Sequence, residues 1–361
     1  MLLKSLAAAR CTLALSAVDS ITPALEHTKQ QLFRPFRLGQ WTKLAFVGLL
    51  AGELGANGFS RSNFQPPVHP GVGPHLPALG SLGIDHFLLA GMIVAAVVAA
   101  FAVGIILLYV GSVMRFILFD SVLSKECHIR WEWSRRLSAG WRYFAWKLGY
   151  ILLTVAGAIV LVGIPTGIAL ANGWFHQPKE HLPAFIAFGA VLFLVFASFF
   201  LVTAVVLVLT KDFVIPQMAL EDIDVTEGWR RLWAMMKPEQ GAYVAYVVMK
   251  IVLAFVVAIL TGVATMILGL VIAIPSAALG ILAFLTGKSE GMTWNPQTIA
   301  LAVIVVGLLL AAFFYLVSLI YVPAIVFFPA YSIYFFAGRY PRLGSVLNGL
   351  QAPQRVVPIA R

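Results

Sequence analysis

The chain has 361 residues, of which 61% are hydrophobic and only 11% charged, and its mean hydropathy is +0.92. A soluble globule carries about 45 to 50% apolar residues, so this composition excludes one and asks for a bilayer as solvent. The net charge of +10 comes without a separate soluble basic domain, which argues against nucleic acid as its partner.

The first eighteen residues, with Lys4 and Arg10 around a short apolar stretch, have the outline of a secretory signal. The apolar part is short and ends without a small-x-small cleavage site, so the expectation is a retained cytoplasmic helix. Uncharged runs then follow at 44–52, 87–114, 148–177, 182–210, 251–286 and 291–338. A crossing needs roughly 20 residues, which all but the first run supply with ease. The expected fold is an all-α integral membrane protein with six transmembrane helices arranged as three hairpins, forming one transmembrane domain over 1–361.

Lys and Arg sort to one side of these runs. Twenty-two of the 25 fall in 1–43, 115–147, 211–250 and 339–361, and the opposite loops hold only Arg61, Lys179 and Lys288. By the positive-inside rule the basic segments face the cytoplasm of a bacterial inner membrane, which calls for an even number of crossings with both termini inside. The expected partner of the charge is the anionic phospholipid of the inner leaflet. Cys11 and Cys127 both fall on this side, where no structural disulfide is expected.

Three segments share a pattern of apolar residues in the first three columns and the eighth: Phe116-Ile-Leu-Phe-Asp-Ser-Val-Leu-Ser124, Phe213-Val-Ile-Pro-Gln-Met-Ala-Leu-Glu221 and Val326-Phe-Phe-Pro-Ala-Tyr-Ser-Ile-Tyr334. Three others open with a lysine that runs into an apolar helix, at Lys43, Lys147 and Lys250. Between them lie basic, Trp-rich amphipathic stretches at 28–41, 129–146 and 225–237. The reading is an internal repeat over 19–124, 125–221 and 222–338, each unit an interfacial helix followed by a hairpin, with 339–361 as a cytoplasmic tail. Asp224-Val-Thr-Glu227 has the form of a capping box opening the third interfacial helix.

The Pro/Gly-rich segment 57–85 is expected to be irregular, and the outer loops near 173–181 and 288–298 short. Pro275 is expected to end the fifth crossing, because its 36-residue run would reach about 54 Å as one helix. Pro165, between Gly163 and Gly167, marks the matching break in the third.

The Trp/Arg-rich segment before the lysine-headed crossing, Leu32-Phe-Arg-Pro-Phe-Arg-Leu-Gly-Gln-Trp-Thr-Lys43, and the Phe213–Glu221 motif resemble a broad group of bacterial integral-membrane proteins. That group is similar to the membrane domain that accompanies glycerophosphodiester phosphodiesterases. The resemblance implies a six-helix membrane fold without the soluble phosphodiesterase barrel or its metal site, and no catalytic residue is carried over.

Glu53 is the residue with most at stake. Ten residues beyond Lys43, it would lie about 15 Å into the bilayer, where an ionised carboxylate must face the bundle, pair or be protonated. The alternative is a short, tilted first crossing that leaves Glu53 in hydrated surroundings. Lys250 is a candidate partner, or it snorkels to the head groups. With the breaks at Pro165 and Pro275, these two define a candidate transport route. Arg130, Arg135, Arg136, Arg142, Arg230 and Arg231, with Trp141 and Trp229, are the candidates for lipid head-group contact. His69, His75, His86, His176 and His181 lack any zinc spacing, so neither a metal nor a cofactor is expected, and no catalytic constellation emerges. The leading reading is a non-enzymatic scaffold or lipid-interacting protein; the alternative is a small-solute or ion transporter or channel.

Overall fold

The computed structural model describes residues 14–53, 86–172, 182–289 and 296–351, and every regular element among them is helical. Two short helices come first, α1 (Ile21–Phe33) and α2 (Leu38–Leu50). The long α3 (His86–Ser124) and α4 (Ile129–Ala171) follow. Next, α5 (Leu182–Leu209) passes through a π-helical turn at Thr210–Val214 into α6 (Ile215–Glu221). Then come α7 (Val225–Met236), the 50-residue α8 (Gln240–Ser289), α9 (Pro296–Ile320), α10 (Val322–Ala337) and α11 (Pro341–Gln351). The segments 57–85 and 173–181, the residues 290–295, the side chain of Lys288, Cys11 and the tail beyond Gln351 lie outside this description.

Among the described residues five stretches are long and apolar enough to cross a membrane: Ala90–Ser124, Ile129–Ala171, Ile186–Glu221, Val225–Ala283 and Gln297–Ala337. This corrects the expected six crossings in three hairpins. The missing one is α2, whose 13 residues span about 20 Å against a hydrocarbon core of about 30 Å. It stops where Gly52 adopts φ +81°, a left-handed conformation that costs glycine little and ends a right-handed helix. The parity argument for both termini on one side therefore lacks its sixth helix.

The expected interfacial helices are corrected too. Residues 129–146 are not a separate helix but the first turns of α4, because no breaker stands between Trp146 and the apolar run. Residues 28–41 are divided between α1 and α2 at Pro35. Only α7 is a distinct amphipathic helix, set off from α8 by a 3₁₀ turn at Lys237–Glu239 that contains Pro238. Asp224 does cap α7 by position, yet its side chain makes no capping bond and turns to Arg142 instead, so the box does not form.

Neither proline breaks its helix: Pro165 lies inside α4 and Pro275 inside α8. Each removes one backbone N–H, a loss that membrane helices tolerate when nearby hydroxyls and neighbours compensate. The carbonyls left without a helical donor are those of Leu161 and Val271; the hydroxyls of Thr166 and Ser276 bond to the neighbouring carbonyls of Val162 and Ile272, each at 2.7 Å.

The most apolar windows of all five spans are fully unburied within the protein, left for lipid to cover. Lipid tails are as apolar as Leu, so these faces gain nothing from the hydrophobic effect by packing on one another. The core gathers instead at the charged ends of the helices, around 113–122, 209–219 and 317–336. Phe213 is its hub, with ring centroids 5.4 Å from Tyr243, 5.0 Å from Tyr246 and 5.1 Å from Phe336. Tyr246 stacks on Tyr331 at 5.1 Å. Aromatic pairs of this kind contribute about 0.5 to 1.5 kcal/mol each beyond the area they bury. Close backbone approach completes the packing: a Cβ on Gly111 would stand 2.6 Å from the Leu50 carbonyl oxygen.

Candidate functional site: a buried ionic cluster

Five ionisable side chains from four parts of the chain meet at this convergence of helices. Glu53, just past α2 and only 2% exposed, takes a close ion pair from Arg115 of α3. The Lys211 ammonium lies 2.6 Å from the same carboxylate. Asp212, 3% exposed, pairs closely with Lys250 of α8 and accepts a hydrogen bond from the Tyr246 hydroxyl at 2.9 Å. Lys211 and Asp212 are consecutive residues, so the two ion-paired groups adjoin in one cluster. Three cations face two carboxylates, which leaves one positive charge in excess.

The backbone makes this juxtaposition. Lys211 and Asp212 are consecutive, and both lie in the π turn Thr210–Val214. Such turns are rare, tolerate an unusual hydrogen-bond pattern and occur frequently at functional sites. Here the turn sends one side chain to α2 and the next to α8. It is braced by Thr210 Oγ1, which donates to the Val206 carbonyl at 2.7 Å and accepts from Trp229 Nε1 at 3.1 Å.

Glu53 and Lys250 thus lie in one cluster, but each has a different partner from the one considered from sequence. Pro165 lines an apolar groove of about 420 Å³ between α4 and α5 with Gly157, Leu161 and Phe188, and is not part of the cluster. Pro275 lies 25 positions along α8 from Lys250, about 37 Å at the helical rise. Arg115, Lys211 and Asp212 were not legible as site residues, because a charge at the end of an apolar run reads as a membrane boundary.

The lipid-contact candidates divide in two. Arg136 is buried and bidentate on Asp120, with Nε and Nη2 at 2.6 and 2.8 Å, and its Nη1 donates to the Ala219 carbonyl at 2.8 Å. Arg142 pairs with Asp222 and Asp224, Arg230 with Glu227, and Arg231 with Glu221 and Glu227. Trp229 donates to Thr210 as above, and exposed Trp141 packs its ring edge on Tyr109. Arg130 and Arg135 alone of the six carry no ion pair among the described residues; Arg135 lies over the ring of Trp131 at 5.5 Å.

A second buried polar group ties α1 down. His27 Nε2 is 2.8 Å from the Val122 carbonyl, its Nδ1 is 3.3 Å from the Tyr334 hydroxyl, and Gln31 Nε2 donates to the Ser121 carbonyl at 2.9 Å. These carbonyls belong to the last turn of α3, which has no intrahelical donors for them. Burial pulls the His27 pKa below 6.5, with nearby Lys125 adding to the effect and the Val122 bond opposing it. Burial likewise pushes the Cys127 thiol up, which keeps it protonated and unreactive. Tyr340, whose hydroxyl donates to Glu221, is also raised, first by burial and then by that bond.

Among the described residues no three His, Cys, Asp or Glu side chains converge as metal ligands. The side chains of His69, His75, His86, His176 and His181 lie outside the description.

Among the described residues, five long apolar spans that meet at a charged, aromatic core define a multi-pass helical membrane protein. The chain matches a family of unknown function, DUF7544, over residues 15–346, and it belongs to that family. No curated protein and no solved structure matches it.

Proposed function

We propose that this protein moves a small solute or an ion across the membrane, and that the cluster of Glu53, Arg115, Lys211, Asp212 and Lys250 is the polar point on its route. The observation that carries the reading is the convergence of five charges from four chain segments, Glu53, Arg115 and Asp212 buried and Lys211 and Lys250 partly so, with one positive charge unbalanced. Taking each ion out of water costs several kcal/mol, and apolar residues would fill the same space at no such cost. Ionisable groups inside membrane proteins are characteristic of substrate and ion pathways. The prolines have no part in the proposal, since both helices continue through them.

The test is flux through vesicles reconstituted with purified protein, measured for protons, alkali cations, chloride and small carboxylates, wild type beside Glu53→Gln and Asp212→Asn. A wild-type flux reduced at least tenfold in both variants supports the reading. No flux of any of these species, or equal flux in all three proteins, would falsify it.

A second reading, a non-enzymatic scaffold or lipid-interacting protein, is favoured by the unpaired Arg130 and Arg135 beside exposed Trp131. Under either reading we place the protein in a bacterial inner membrane, its basic face toward anionic cytoplasmic lipid, on the strength of the Lys/Arg asymmetry.

A further inference from the structure

We infer that the connection between α1 and α2 is an anionic-phospholipid site, in which Arg34 and Arg37 hold lipid phosphate while Phe33, Phe36 and Leu38 insert among the acyl chains. All residues from Phe33 to Gly39 are exposed. Among them Phe33 is 52%, Phe36 59% and Leu38 55% exposed, three large apolar side chains within six residues of one connection.

The aromatic residues are held in place. Trp41 packs against Phe33 at 5.6 Å and against Phe36 at 5.5 Å, and its Nε1 donates to the Leu32 carbonyl at 3.0 Å. Trp41 thus fixes the two phenyl rings side by side on the outside of the protein.

The arginines supply the charge complementarity. Nine of the protein's other basic side chains, Arg115, Arg136, Arg142, Lys211, Arg230, Arg231, Lys250, Arg339 and Arg342, have a carboxylate within 4 Å. Arg34 and Arg37 have no carboxylate within 4 Å among the described residues, and the side chains beside them are apolar. A guanidinium is a planar donor suited to two oxygens of one phosphate.

The bilayer is within reach of this connection. One turn into α2, Thr42 Oγ1 is 3.0 Å from the hydroxyl of Tyr315, an exposed residue of the apolar span Gln297–Ala337. A free anion would account for the two arginines but not for the apolar residues alternating with them, so the occupant is lipid.

The test compares lipid retained by wild type, Arg34→Gln/Arg37→Gln, Arg34→Lys/Arg37→Lys and Arg230→Gln after purification from equal mixtures of phosphatidylglycerol and phosphatidylcholine. Lipid is counted per chain by mass spectrometry, and thermal unfolding of each variant confirms that it is folded. A cation near an anionic surface favours binding about fivefold, so the preference for phosphatidylglycerol should fall by about that factor for each arginine removed. The lysine variant should keep most of it, and the Arg230 control, an exposed arginine already held by Glu227, all of it. An unchanged preference in Arg34→Gln/Arg37→Gln, or an equal loss in the control, overturns the assignment.

Discussion

Lys250 reaches Asp212 and not Glu53, so each carboxylate of the buried cluster has its own cations: Arg115 and Lys211 hold Glu53, while Lys250 holds Asp212. The arrangement predicts asymmetry between single and paired substitutions. Asp212→Asn strands Lys250 and should cost about 3 to 5 kcal/mol of stability. Asp212→Leu with Lys250→Met removes both charges and should cost far less. Denaturant unfolding in one detergent measures both; a double variant as unstable as the single would show that the pair is not what the site depends on.

Arg136 answers a different question, whether geometry or charge holds α3, α4 and α6 together. Its three bonds to Asp120 and the Ala219 carbonyl use the guanidinium fork, which a lysine cannot reproduce. Arg136→Lys keeps the charge and should still lose about 1.5 to 3 kcal/mol for each charged bond left unmade. Stability within 0.5 kcal/mol of wild type, on the order of a neutral surface change, would assign the contact to charge alone.

Gly111 and Gly104 lie two turns apart on α3 and should respond in opposite directions. A methyl on Gly111 meets the Leu50 carbonyl oxygen at 2.6 Å, whereas one on Gly104 meets nothing within 4 Å. Gly111→Ala should destabilise by about 1 to 3 kcal/mol through overpacking. Gly104→Ala should stabilise by up to about 1 kcal/mol through helix propensity. Thermal unfolding of the two variants side by side decides the matter.

His27 predicts an acid sensitivity. Its pKa is lowered on folding, so below 6.5 the unfolded chain binds the proton that the folded chain refuses, and stability rises with pH there. The contribution is complete above about 6.5 and is lost as pH falls toward the folded value. Unfolding measured from pH 7.5 down to 5 should show this slope in wild type and a shallower one in His27→Phe. Identical slopes would remove His27 from the account.

Much of the architecture was legible because it depends on composition. Long uncharged runs mark the spans, and the clustering of Lys and Arg marks the end where the core lies. The first crossing was misread because the uncharged run after Lys43 looks like the start of a helix, while nothing in it announces that Gly52 ends one. The prolines misled in the same way, since a membrane helix can lose one backbone bond at a proline and continue, as α4 and α8 do. Glu53 stood out as a carboxylate after an apolar run. Its partners did not, because Arg115 and Lys211 occupy positions where any membrane protein carries a basic residue. Arg136, Arg142, Arg230 and Arg231 looked like head-group ligands for the same reason, and only the fold shows that carboxylates already hold them.

The π turn at Thr210–Val214 makes the two ion pairs a single mechanical unit. A helix that carries one surplus residue can pass it along the chain, and each residue it passes turns by about 100° around the helix axis. Moving the surplus past Lys211 and Asp212 would swing both side chains off their partners together, leaving Glu53 to Arg115 alone and Lys250 without a carboxylate.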